Sequence, residues 1–121
     1  MARILVIDDE RSIREMLTDV LEEDGHEVTC ASNGVDGIAQ YRQGLHDLVI
    51  TDVFMPEKSG LETIPDLKDE LPQIKIIAMT AWDAQDELDV LAMTKESGAD
   101  DVLSKPFKAS VVTGKIRALL G

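Results

Sequence analysis

The sequence predicts an α/β domain: five βα units forming a doubly wound, three-layer αβα structure, with a parallel sheet between two layers of helices. Three observations lead there. Short apolar runs alternate from end to end with stretches whose apolar residues recur at i, i+3, i+4 and i+7. The strand-like run at Asp47–Thr51 is apolar on both faces, as a buried parallel strand is. Parallel strands also need crossovers of one hand, and the intervening helices supply them. The chain has 121 residues, 44% hydrophobic and 30% charged, enough for one domain with its own core. Residues 1–121 are expected to be that single domain, with no output domain in the chain.

Arg3–Ile7 is the first strand. Ile13, Met16, Leu17, Val20 and Leu21 then mark one face of a helix, which Gly25 closes as the residue after the C-cap. Glu27–Ala31 reads as a weaker second strand. The second helix should turn Val35, Ile38 and Ala39 inward, with Asn33-Gly34 in the turn before it. After the strand at Asp47–Thr51, a helix over about Leu61–Leu71 buries Leu61, Ile64, Leu67 and Leu71. Pro65 lacks the N–H for the helical ladder, so this helix should start late or be distorted. Ile74–Met79 is the fourth strand and Ala84–Ser97 the fourth helix, ended by Gly98. Asp101–Leu103 is a short fifth strand. A last helix, Ser110–Leu120, buries Val112, Ile116, Leu119 and Leu120.

Composition narrows the function classes. No apolar run approaches the ~20 residues of a membrane span, and Ile4–Ile7 runs directly into Asp8, Asp9 and Glu10, unlike a signal peptide. The one cysteine, Cys30, excludes an internal disulfide, and a cytoplasmic location is expected. A net charge of −12 opposes direct contact with nucleic acid or an anionic membrane. It suits a basic protein partner or a divalent cation.

In such sheets, ligands bind outside the carboxyl ends of the strands. There the sequence places Asp8, Asp9 and Glu10 after the first strand, Asp52 after the third, Thr80 after the fourth and Lys105 after the fifth. Each alone reads as a cap, a turn residue or a solvated charge. Together they put acids, a hydroxyl and an amine on one rim. Two like charges ~4 Å apart repel by about 4 kcal/mol at an effective dielectric of about 20, so three carboxylates there call for a cation. Hard oxygen ligands favour Mg²⁺, with Mn²⁺ as an alternative. Such a cation would bridge an incoming phosphoryl oxygen. Lys105 adds a positive point charge, Thr80 a donor, and Ala81 room for a phosphoryl group. Asp52 is then the candidate nucleophile, since aspartate can form an acyl phosphate.

The stretches "ILVIDDE", "DLVITDVFMPEKSG", "IIAMTA" and "SKPF" resemble the receiver domain of two-component response regulators, over essentially the whole chain. The resemblance implies the flavodoxin-like (βα)5 fold with strand order 2-1-3-4-5. It implies that Asp52 accepts a phosphoryl group from a sensor histidine kinase or a phosphotransfer protein, and later loses it, without the chain being an enzyme in the usual sense. Asp9, Asp52 and the backbone carbonyl of Phe54 would bind Mg²⁺ directly and Asp8 through water. Thr80 and Lys105 would hold the phosphoryl oxygens, and Lys105-Pro106 would carry a cis peptide. Output would pass to a downstream protein or an output domain, from a monomer or a phosphorylation-dependent dimer. A conformational change of Thr80 and of the surface around the fourth helix, fifth strand and last helix would carry it.

The chain departs from the family pattern at several places. Val102 stands where an aromatic switch residue is usual; receivers that lack that aromatic, phosphorelay intermediates among them, exist in the family. The stretch around "WDAQDELD" is longer than usual, and Val90 and Met93 form a second apolar line on the fourth helix that could meet a partner. Phe54 and Trp82 flank the phosphoryl site where polar residues often order the attacking water, so a long-lived acyl phosphate is expected. Three rivals are weaker. A flavodoxin-like cofactor domain would meet repulsion from Asp8-Asp9-Glu10. A metal-dependent phosphatase would need an acid at Phe54. A phosphate-independent pseudo-receiver would not need every one of these residues.

Overall fold

The computed structural model describes residues 2–44, 46–52, 60–70, 74–81, 98–105 and 107–120, with backbone alone at 60–63, 70 and 81. The elements run β1 (Arg3–Ile7), α1 (Arg11–Glu23), β2 (Glu27–Ala31), α2 (Gly34–Gln43), β3 (Leu48–Asp52), α3 (Gly60–Glu70), β4 (Lys75–Ala81) and β5 (Asp101–Lys105). A C-terminal helix, α4 (Ala109–Leu120), follows. The strands form one parallel sheet in the order β2-β1-β3-β4-β5. No described helix is long and apolar enough to cross a membrane.

Two cores show that the sheet is doubly wound. Alternation along each strand sends Ile4 and Val6, Leu48 and Ile50, and Ile77 and Met79 to one face, where they meet Leu17 and Leu21 of α1 and Val112 and Ile116 of α4. Leu5 and Ile7, Val49, and Ile76 and Ala78 face the other way, against Ile64 and Leu67 of α3, with Ile38 and Tyr41 of α2 packed alongside. Every residue of β3 is buried, as expected for the strand in the middle of the sheet.

Helix ends follow their local chemistry. At the end of α1 the Gly25 N–H donates to the Glu22 carbonyl and the His26 N–H to that of Leu21. Gly25 adopts φ 90°, so this is the glycine-closed C-terminus that the sequence predicts. Asn33 and Gly34 are not a separate turn: Asn33 is the N-cap of α2, accepting from the Asp36 N–H at 2.8 Å, and Gly34 is the first helical residue.

Four side-chain expectations are corrected. Met16 lies at the edge of the α1 stripe and is exposed, leaving Leu17 and Leu21 as its buried pair. Leu120 is also exposed, at the last turn of α4, while Leu119 packs against the core. Val35 is 59% exposed and Ala39 is exposed. In their place α2 turns Gly37 toward the sheet, so closely that a Cβ there would collide with the Ile7 side chain. The narrow approach selects the smallest residue, which an apolarity pattern does not register.

Helix α3 starts at Gly60 and runs through Pro65, whose side chain is exposed, so the expected late start does not occur. The expected helix at Ala84–Ser97 with Val90 and Met93, the "WDAQDELD" stretch, Phe54, Trp82, Leu71 and Pro106, where a cis peptide is expected, lie outside the described residues. The side chains of Leu61 and Ala81 do as well.

Candidate functional site

The carboxyl ends of the strands converge, with one revision to the sequence reading. Asp52, Thr80 and Lys105 are not loop residues. Asp52 is the last residue of β3 and pairs with Met79, while Thr80 and Ala81 of β4 pair with Ser104 and Lys105 of β5. The ladder persists because each strand still has a neighbouring backbone to bond. A site built on strands is held more stiffly than one built on loops.

Asp8 emerges from β1 fully buried, and each of its polar groups has a partner. Its N–H donates to the Ala31 carbonyl at 3.1 Å, extending the β1–β2 ladder by one bond. Its Oδ1 accepts from the Glu10 N–H at 2.9 Å and its Oδ2 from Lys105 Nζ at 2.8 Å, while its carbonyl accepts from Arg14 Nη1 at 2.8 Å. Glu10 occupies the N-cap of α1 without capping through its side chain, so the capping that the sequence suggested for Asp9 or Glu10 is not seen at Glu10. Asp9, the next residue, is exposed.

Ligand oxygens of Asp8, Asp9 and Asp52 all lie within 4.8 Å of one another. Lys105 bridges two of these acids, with Nζ 2.8 Å from Asp8 Oδ2 and 2.8 Å from Asp52 Oδ2. Its side chain is only 13% exposed. Burial works against its charge, but hydrogen bonds to Asp52 and Asp8, with the field of both carboxylates, outweigh that. Its pKa therefore stands above the ordinary lysine value. One ammonium against three carboxylates still leaves the cluster anionic. The donor set is all hard oxygen on a partly exposed rim, so the residues present fit a divalent cation of the Mg²⁺ type.

Thr80 is buried at the same level of the sheet. By strand alternation it belongs to the face of Ile76 and Ala78, whereas Met79, opposite Asp52, lies on the other. The structure thus brings Asp8, Asp9, Asp52 and Lys105 together and sets Thr80 beside them on the opposite face. Val102 is half-buried and pairs with Ala78. Arg14, which bonds the Asp8 carbonyl, went unread in the sequence because an arginine on a helix face looks like a solvated charge.

Comparison with known proteins agrees with this geometry. The family model described as response regulator receiver domain matches residues 4–117. The probable transcriptional regulatory protein TcrX of Mycobacterium tuberculosis is 36% identical over 117 residues, 97% of this chain and 49% of that protein. The DNA-binding transcriptional regulator NtrC of Azospirillum brasilense is 42% identical over 106 residues, covering 88% of this chain and 21% of the relative. This chain spans about half the length of the first curated relatives it matches. Among solved structures, a response regulator receiver domain protein from Clostridium thermocellum superposes with a TM-score of 0.90 at 34% identity, covering 99% of this chain and 94% of that one. The response regulator TrrA of Thermotoga maritima, solved in complex with Mg²⁺-BeF, gives 0.86 at 36% identity, covering 98% and 99%. The sheet order, the acid cluster with its lysine and the family match over nearly the whole chain lead to one conclusion: this chain belongs to the response regulator receiver domain family of two-component systems.

Proposed function

We propose that Asp52 is the phosphoacceptor of this receiver domain and that Asp8, Asp9, Asp52 and the carbonyl of Phe54 hold the Mg²⁺ on which the transfer depends. The observation that carries this reading is the three-acid cluster bridged by Lys105. In the transfer, an Asp52 carboxylate oxygen forms a bond to phosphorus as the P–N bond of a phosphohistidine breaks. The electron pair returns to the imidazole, which takes a proton from water. When bound, the cation supplies neutralisation of the charge on the phosphoryl oxygens. The chain's own contribution is placement. β3 presents Asp52 from a rigid strand end, and Lys105 holds its ammonium within reach of it.

Asp8 suits a role behind a bound water, because both its oxygens already accept hydrogen bonds from the protein. Thr80, on the other sheet face, must swing over the rim to donate to a phosphoryl oxygen. That movement, rather than rotation of an aromatic ring at Val102, would carry the signal. The donor would be a sensor histidine kinase or phosphotransfer protein. The recipient would be a protein partner or an output domain of the kind for which TcrX and NtrC are named as transcriptional regulators. Chemistry on outside substrates is not part of this reading.

Intact mass after incubation with a small acyl phosphate and Mg²⁺ tests it. Wild type should gain one phosphoryl group, and Asp52→Asn should gain none. A wild-type chain that gains nothing would leave a phosphate-independent interaction module as the better reading. The same assay followed over time should show a shorter phosphoryl half-life in Phe54→Asn and Trp82→Glu, if the two rings exclude the attacking water.

A further inference from the structure

Asp9 is the exposed member of the acid cluster, yet its oxygen lies within 4.8 Å of ligand atoms from two buried acids. Its backbone is held on both sides. On the far side, the Glu10 N–H donates to Asp8 Oδ1 at 2.9 Å, folding residues 8–10 into a tight Asx turn. On the near side, Arg14 Nη1 donates to the Asp8 carbonyl at 2.8 Å.

Arg14 stands one turn into α1 and is half-buried. Its own N–H donates to the Glu10 carbonyl at 3.2 Å, and its carbonyl accepts from Thr18 Oγ1 at 2.7 Å. The remaining groups of Asp8 are fixed by Ala31, Glu10 and Lys105. The Asx turn closes a ring that contains the peptide joining Asp8 to Asp9, and the bond from Arg14 holds the carbonyl of that same peptide from outside the ring. That peptide is planar, so directing its carbonyl toward α1 also fixes the direction in which the chain leaves for Asp9.

We propose that Arg14 is a positioning residue for the cation site: by holding the Asp8 carbonyl it sets the Asp8–Asp9 peptide, and with it the place of the Asp9 carboxylate relative to Asp8 and Asp52. The inference rests on reading these acids as a Mg²⁺ site. Its charge and its position have opposite consequences. A guanidinium beside an acid cluster repels an incoming cation, so on charge alone its removal tightens Mg²⁺ binding. If position dominates, removal weakens it, as loss of a residue that orients a metal ligand characteristically does, by about 10–100-fold.

The test is titration calorimetry with Mg²⁺ on the unphosphorylated chain, with thermal melts in EDTA alongside. Arg14→Met keeps the apolar stem and loses both charge and donor. It should weaken Mg²⁺ binding about tenfold. Arg14→Lys restores a single donor and the charge, and should recover most of the affinity. Unchanged or tighter binding in Arg14→Met overturns the proposal. So does a lower melting point with unaltered affinity, which would give Arg14 to the fold alone. A wild-type chain that binds no Mg²⁺ fails the underlying reading instead, before any variant is compared.

Discussion

The two rims of the sheet are both rich in carboxylates, and they use them in opposite ways. At the amino ends of the strands each acid is satisfied separately. Asp47 Oδ2 accepts from the Arg3 N–H at 2.8 Å, and Asp100 Oδ2 accepts from the Ile76 N–H at 2.8 Å and from Lys68 Nζ at 2.9 Å. Asp24 pairs with Arg117 Nη2 at 2.8 Å and lies 3.3 Å from His26 Nε2. These acids close strand starts and pin helix ends. A groove of ≈ 490 Å³ lies at this end, lined by Ala2, His26, Asp47, Ile116, Arg117 and Leu120, far from the acid cluster.

At the carboxyl ends three acids crowd together and two of them share one lysine. An acid with its own partner is structural. Three carboxylates gathered around one ammonium leave the rim with net negative charge, which suits a cation from outside.

The strongest way to break this comparison is to remove one lysine from each rim. Lys105→Met leaves Asp8 and Asp52 buried together, and should destabilise the metal-free chain by about 3 kcal/mol in urea unfolding. Lys68→Met should cost about 2 kcal/mol through its lost bonds to Asp100 and the Ile74 carbonyl. The two should part when Mg²⁺ is added. The stabilisation by Mg²⁺ should be larger in Lys105→Met than in wild type, and in Lys68→Met the same as in wild type. Equal gains in both variants would erase the distinction between the rims.

A smaller effect should come from Asp9→Asn. Asp9 is exposed, so relief of repulsion is screened, and the metal-free chain should gain about 1 kcal/mol. The gain should vanish or reverse in Mg²⁺, because the variant has given up a ligand. A loss of stability in EDTA would mean that Asp9 is held by something other than the cluster.

The smallest effects separate the rims by pH. The pKa of Lys105 is raised, so its contribution is complete below the ordinary lysine value near 10.5 and is lost as pH climbs through the higher folded value. His46, two residues before β3, goes the other way. Burial lowers its pKa below 6.5, so the folded state takes up its proton later than the unfolded chain does. Its contribution is intact above 6.5 and declines as pH falls below it. Unfolding midpoints measured across pH should lose the alkaline limb in Lys105→Met and soften on the acid side in His46→Asn.

The alternation of periods and the apolar centre of β3 are legible because burial on two faces leaves a compositional trace. The acids at strand ends are legible because charges directly after a buried strand must reach the rim. Less was readable about α2, where the close approach at Gly37 turns Val35 and Ala39 outward. The strand ends were misread for a related reason. Whether Thr80 and Lys105 belong to a strand depends on β4 and β5 finding each other, which no local pattern records.

The amino-acid order by itself determined the fold class, the family and the identity of the acids, the hydroxyl and the lysine, since these follow from periodicity and from residue types at fixed places in it. Only the tertiary structure decided how they meet. It ties Lys105 across to Asp8 and Asp52, 97 and 53 residues away in the chain, sets Thr80 on the far face, and reaches Arg14 back to the Asp8 carbonyl. The physical reason is that charge pairing and hydrogen bonding act through distance and direction, and both are set by the packing of strands and helices rather than by neighbours in sequence.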